Sequence, residues 1–261
     1  MTKPTICYPT THERDALLLM FSKAWLVASV TPYYMADSYI ITTDMNDCKE
    51  AAMTVPQRVL DTMNSGLIYT CDDEEMIKAQ QEQMELLYDF NATRPSQMTQ
   101  RNEIARQLLG EFGEDAYIEP PLHANWGCNT YFSAHAYANF NLTLVDDGEV
   151  HIGEHTMIGP NCTIVTTGHP IRPDLREKVT QYSMPVVIGR NVWLGANVTV
   201  LPGVTIGDNS VIGACSLVIK DIPANVVAFG QPCKVYREIG EHDDVYYWRD
   251  RMINPPYDQK Q

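Results

Sequence analysis

Gly168-His169-Pro170 sets an imidazole at an abrupt change of pattern: regularly spaced aliphatic residues end just before it, and a polar, proline-rich stretch begins. An imidazole takes up and returns a proton near neutral pH, so a histidine fixed at such a boundary is a candidate general base. A second group lies upstream in AYANFNLTLVDDG, where Tyr137, Asn139, Asn141, Asp146 and Asp147 offer phenol, amide and carboxylate groups that could orient a polar ligand. Asparagine in such a place can also simply turn a corner, which suits Asn141 equally well. Asn139 and Asp147 are expected near the same edge as His169.

The element that must position these groups is a six-residue repeat. Stepping by six from Ile188 gives Leu194, Val200, Ile206, Ile212 and Val218, and stepping back from Ile164 gives Ile158 and Ile152. Gly follows the aliphatic at 153, 159, 189, 195, 207 and 213, and small or β-branched residues stand four places on (Thr156, Cys162, Val192, Val198, Val204, Ser210, Ser216). Neither a helix nor a simple strand has this period. A triangular coil does, with one short strand and one turn per side, the aliphatics pointing inward and Gly or Asn at the corners. Three sides make about eighteen residues per coil, stacked at about 4.8 Å.

Weaker steps (Ile118, Ala124, Thr130, Ala136, Leu142) extend the beat upstream, with an irregularity at Val145–Val150. From Val165 to Val187 the phase fails and the sequence reads as a long excursion loop, the kind of segment that carries function. Upstream, 72–90 reads as a helix, Ser96 opens a second with Ile104, Leu108, Leu109 and Phe112 on its apolar face and Gly113 as its stop, and 56–66 suits another. The expected division is an N-terminal extension of unknown role (1–55), a helical segment (56–117), the coil domain (118–240) and a tail (241–261). The apolar stretch 16–35 contains Lys23 and Pro32. Burying that lysine in a membrane costs roughly 2.5–3.5 kcal/mol, so an amphipathic helix or an extension packed on the core is the expectation.

Asp plus Glu number 33 against 19 Lys plus Arg, a net charge of −14. That excludes a protein that wraps nucleic acid and leaves room for a small anionic ligand held by two or three local cations. Seven cysteines without a CxxC pair read as reduced thiols in the cytoplasm. The Asn-x-Thr sequons at Asn141, Asn161 and Asn197 fall inside the repeat, where Thr suits a strand.

The stretches YANFNLTLVDDG, TGHPI, IGRNVWLGANVTVLPGVTIGDNSVIGA and KDIPANVVAFGQPCKV, with RVLDTMNSGLIY, LLYDFNAT and GEFGEDAYIEPP upstream, resemble the galactoside and maltose O-acetyltransferases over about residues 56–240. The resemblance implies a mainly β chain: a left-handed parallel β-helix of hexapeptide repeats with a small N-terminal helical segment. It further implies a homotrimer with sites between subunits, and acetyl transfer from acetyl-CoA to a sugar hydroxyl. A thioester needs only a base and an oxyanion stabiliser for direct attack, so no metal is required. By the same resemblance His169 is the base and Asn139 supports the tetrahedral intermediate. Tyr137, Asp147, Asn125 and Trp193 line the acceptor pocket. Ala196, Ala214 and Ile219 follow the pantetheine arm, and Lys220, Lys234 and Arg237 meet the CoA phosphates.

The chain departs from the family pattern in its acceptor pocket. Asn125 followed by Trp126 stands where a carboxylate or serine is usual, Cys71 beside Asp72 where an acceptor-contacting Asp is found, and Gln181 where the loop has a methionine. The acceptor could therefore be a sugar, an oligosaccharide signal, an antibiotic or an amino acid. Two other classes remain as alternatives: a zinc enzyme on the same fold, using His151 and His155 with His123 or His135, and a non-catalytic β-helix scaffold.

Overall fold

The computed structural model describes residues 55–257; the N-terminal extension, with its 16–35 stretch, lies outside them up to residue 54. The described chain opens with helix α1 (Gln57–Met63), α2 (Glu74–Ala92) and α3 (Met98–Leu108), followed by a solenoid of about six turns. Asp73 caps α2 by accepting from the Met76 N–H at 3.0 Å, and Glu74 and Glu75 in the first turn favour its positive end. Phe90 and Leu87 of α2, with Ala105 and Leu108 of α3, pack into the same apolar core as the first coil. Among the described residues no helix is long and apolar enough to cross a membrane.

The solenoid is a parallel β-helix with three sides. Phe112, Phe132, Ile152, Ile188 and Ile206 stack in register on the first side, Ile118, Ala138, Ile158, Leu194, Ile212 and Ala228 on the second, and Ala124, Leu144, Ile164, Val200 and Val218 on the third. Most of these side chains are fully buried, which is the origin of the beat in the sequence. Phe112 corrects the expectation above: it lies in the strand Glu111–Phe112, after α3 has ended, and begins the first column.

Corner chemistry differs from the expectation in one respect. The left-handed backbone positions are taken chiefly by asparagines, Asn141, Asn161 and Asn197 at one corner and Asn191, Asn209 and Asn225 at another, all with φ between 54° and 61°. The glycines after each aliphatic serve close approach instead. A Cβ on Gly195 would lie 2.6 Å from the Ala214 nitrogen, and one on Gly207 would lie 2.4 Å from the Ala224 nitrogen.

The first coils also run on a different count from the later ones. They repeat every 20 residues (Phe112, Phe132, Ile152), whereas coils after the loop repeat every 18 (Ile188, Ile206). The steps Ala124 to Phe132 and Leu144 to Ile152 are each two residues too long, and Ile164 to Ile188 contains the whole excursion loop. Every one of these interruptions falls at the corner where the third side returns to the first. The irregularity expected at Val145–Val150 is therefore real, but an earlier one at Trp126–Gly127 shifts Thr130, Ala136 and Leu142 off the column. These residues are buried beside the column, two places before Phe132, Ala138 and Leu144.

Candidate active site

The interrupted corner collects the polar groups. Asp146 is fully buried, and its carboxylate accepts from the main-chain N–H groups of Asn125 (3.1 Å), Trp126 (2.9 Å) and Gly127 (2.7 Å) and from the Thr130 hydroxyl (3.0 Å). Burial pushes its pKa up to about 6, against the pull of those donors. This aspartate shapes the turn at 125–127.

Asp147 is also buried and accepts from four side chains. Trp126 Nε1 (3.3 Å) and Gln181 Nε2 (3.1 Å) reach one oxygen, Asn125 Nδ2 (2.9 Å) and Thr167 Oγ1 (3.1 Å) the other. Gln181 gives its second amide hydrogen to the Tyr69 hydroxyl at 2.7 Å, and that hydroxyl lies 3.2 Å from Ser183 Oγ. Burial raises the Tyr69 pKa, and burial followed by the Asp147 and Asp72 charges raises that of Cys71.

His169 leaves this network at the end of the short strand Thr167–Gly168, which pairs antiparallel with Thr180–Ser183. That second strand pairs in turn with Tyr69–Thr70 from the segment between α1 and α2. The His169 ring is exposed, and its Nδ1 lies 2.9 Å from the Thr180 carbonyl. A carbonyl only accepts, so Nδ1 carries the hydrogen and Nε2 keeps its lone pair. Gly168 lets the Tyr182 ring lie close over the backbone: a Cβ on it would lie 2.7 Å from the Tyr182 hydroxyl.

Of the expected acceptor residues, Asp147 and Asn125 share the His169 corner; Asn139 does not. It follows Tyr137–Ala138 on the second side, at the corner leading to the third, where its Oδ1 accepts from the Phe140 N–H at 2.8 Å. The expectation that one edge of the chain holds all three groups is therefore corrected. Tyr137 and Trp193 occupy the outward row of the second side (Tyr117, Tyr137, Met157, Trp193), with Tyr117 and Tyr137 stacked at 6.0 Å and Trp193 52% exposed.

Ala196 and Ala214 stack on successive coils at the Asn139 corner, and Ala196 gives its carbonyl to the Cys215 N–H at 2.8 Å. Ala214, Ile219, Lys220 and Lys234 are exposed. Arg237 is already engaged: it makes a two-pronged ion pair with Asp243 of the tail at 2.6 and 2.8 Å, which holds the Asp243 carboxyl down at about 2. The histidines of the zinc alternative have other partners or pair only two at a time. His151 stacks on Tyr131 and meets Glu149 at 2.9 Å, while His155 stacks on His135 at a corner. No group of three or more His, Cys, Asp or Glu among the described residues is placed to hold a metal ion.

Comparison with known proteins gives this geometry its context. Residues 185–220 match the bacterial transferase hexapeptide (six repeats), and residues 62–113 match the maltose acetyltransferase hexapeptide capping motif. The galactoside O-acetyltransferase of Lactococcus lactis is 51% identical over 188 residues, 72% of this chain and 91% of that protein. The chain belongs to the galactoside and maltose O-acetyltransferase family. The galactoside O-acetyltransferase of Escherichia coli is 49% identical over 168 residues, 64% of this chain and 83% of the relative. A solved galactoside acetyltransferase in complex with coenzyme A superimposes with a TM-score of 0.70 at 44% identity, covering 73% of this chain and 95% of that one. The protein is accordingly an O-acetyltransferase of the hexapeptide-repeat kind. Tyr69, Thr167, Thr180 and Ser183 join the candidate site without any signal in the residue pattern. For the three on the excursion loop, the one trace is that all the long steps fall at the same corner of the coil.

Proposed function

We propose that this O-acetyltransferase moves the acetyl group of acetyl-CoA to a hydroxyl of a sugar-like acceptor by direct attack, with His169 as the general base. The observation that carries the reading is the His169 Nδ1 contact with the Thr180 carbonyl, because it leaves Nε2 as the basic nitrogen. Nε2 takes the hydroxyl proton as the oxygen attacks the thioester carbon. The tetrahedral intermediate then expels the CoA sulfur, which receives that proton from the imidazolium. Asn139 stabilises the developing oxyanion.

His169 and Asn139 stand at different corners of one prism, so a complete site takes each from a different copy of the chain. A homotrimer with sites between subunits meets that requirement, and the apolar outward row with Tyr137 and Trp193 suits burial against a neighbour. The pantetheine arm follows the Ala196–Ala214 corner and Ile219, with Lys220 and Lys234 as phosphate cations and Arg237 available once Asp243 is displaced. The free thiols Cys71, Cys128, Cys162, Cys215 and Cys233 suit a cytoplasmic setting.

The test is thiol release from acetyl-CoA against a panel of sugars, other polyols, antibiotics and amino acids, with wild type beside His169→Ala. The expected loss is about 10²–10⁴-fold for a missing general base. Undiminished turnover by the variant, or turnover confined to amine acceptors, would refute the reading.

A further inference from the structure

Gln181 occupies a position that the base and the acceptor pocket do not by themselves explain. It is buried, and both hydrogens of its side-chain amide are used, one on Tyr69 Oη (2.7 Å) and one on Asp147 Oδ1 (3.1 Å). The three residues come from three separate segments: Tyr69 from the strand after α1, Asp147 from a corner of the coil, and Gln181 from the returning strand of the excursion loop. The amide therefore ties the loop to the stiff scaffold at two points.

The adjoining residue is Thr180, whose carbonyl accepts from His169 Nδ1. Thr180 is fixed a second time, since its own hydroxyl donates to the Leu175 carbonyl at 2.8 Å within the loop. The loop crosses polar, exposed sequence between Ile171 and Val179, including the short helix α4 (Pro173–Arg176), and that part offers no core packing that could hold the carbonyl still. Beyond that bond within the loop, what ties it to the scaffold is the strand pairing and the Gln181 amide. Asp147 itself has about four lone-pair positions, and four donors already meet them. Its place in the network is that of an anchor for Gln181 and Asn125, rather than a free acceptor for a ligand hydroxyl.

We infer that Gln181 is a positioning residue for the catalytic base: held between Tyr69 and Asp147, it fixes the Thr180 carbonyl, and through it the tautomer and direction of the His169 ring. The inference rests on His169 being the base. A misplacement on the order of 1 Å in such an arrangement costs about a hundredfold in rate. No change in acetyl-CoA binding is expected, because Tyr69, Asp147 and Gln181 are not among the residues assigned to acetyl-CoA and their polar groups are engaged with one another.

The experiment uses full-length protein, acetyl-CoA, and methyl β-galactoside or the panel sugar that turns over fastest. Gln181→Leu should lower kcat by about 10–100-fold with the KM for acetyl-CoA within about twofold. Tyr69→Phe, which keeps the ring in its apolar cluster and removes one of the two anchors, should give a smaller loss of the same kind and guards against misfolding of the first variant. Placed in a His169→Ala background, Gln181→Leu should change the residual rate by less than about twofold, since a residue acting through the histidine has nothing left to position. Wild-type kcat in Gln181→Leu beside an impaired His169→Ala would overturn this inference alone. So would a loss that persists undiminished in the His169→Ala background. Full turnover by His169→Ala would overturn the base assignment and this inference with it.

Discussion

Asp146 and Asp147 are consecutive residues at one corner of the coil, yet their carboxylates hold different things. Asp146 gathers three main-chain N–H groups and one hydroxyl from the turn of the coil below, whereas Asp147 gathers four side chains drawn from that turn and the excursion loop. One builds the wall and the other furnishes it.

Asp146→Asn should therefore be a stability variant. Asparagine offers one acceptor oxygen where donors converge on two, so its amide nitrogen faces either the Asn125 and Trp126 N–H groups or the Gly127 N–H and the Thr130 hydroxyl. Each buried donor left without a partner costs about 1–3 kcal/mol. Urea unfolding should show that loss, with Thr130→Val, which removes a single donor, at the low end of the range.

The same residue sets a pH dependence. Its pKa rises from the ordinary 3.8 to about 6 on folding. Between about pH 4 and pH 6 the folded chain thus binds more protons than the unfolded one, so this group's contribution to stability falls as the pH rises. A shift of about two units corresponds to about 3 kcal/mol at most. Unfolding free energies measured from pH 4 to 7 should show wild type losing ground to Asp146→Asn across that window. A constant difference would mean that the carboxyl is ionised throughout.

A site shared between copies makes a prediction about mixtures. His169→Ala and Asn139→Ala should each be inactive alone. Unfolded together and reassembled at equal amounts, they should recover about a quarter of wild-type activity, because random assembly pairs an intact His169 with an intact Asn139 at that frequency. If mixing recovers nothing, both residues belong to one copy's site, against the separation of their corners.

The cations at the C-terminal end should divide into two kinds. Lys234→Ala should raise the KM for acetyl-CoA several-fold, on the order of one charge-assisted contact, with kcat nearly unchanged. Arg237→Ala should do less, because its guanidinium is already bonded to Asp243. Asp243→Asn should lower that KM. Equal effects of the two cation variants would show that the ion pair opens freely when acetyl-CoA binds.

Much of this was readable in advance, for a physical reason. From Ile188 to Val218 no residue is inserted, so the stacked column appears directly as a period of six. Between Phe112 and Ile152 the same column is present but harder to follow. Insertions at Trp126–Gly127 and Asp146–Asp147 move the phase by two, and the residues two places before the column, such as Leu122 and Leu142, are buried as well. A count that slips by two still lands on apolar residues. His169 and Asp147 stand out in the sequence as candidates because they lie where the pattern fails. Tyr69 and Ser183 do not, being neutral residues with no period. Gln181 stands out only as a departure from the family pattern, since it meets Tyr69 across 112 positions of chain. The corner that Asn139 occupies is not legible in the sequence, because corners cannot be numbered until the insertions have been placed.

The two ends of the β-helix carry a consequence of their own. A parallel coil leaves open backbone edges at its first and last turns, each able to accept another strand. At one end Phe90, Leu108 and their neighbours on α2 and α3 seal the stack, and at the other the strand Cys233–Glu238 folds back antiparallel on Val226–Gly230. These covers shield the apolar stack at one end and pair one side's edge at the other, which opposes end-to-end stacking of coils.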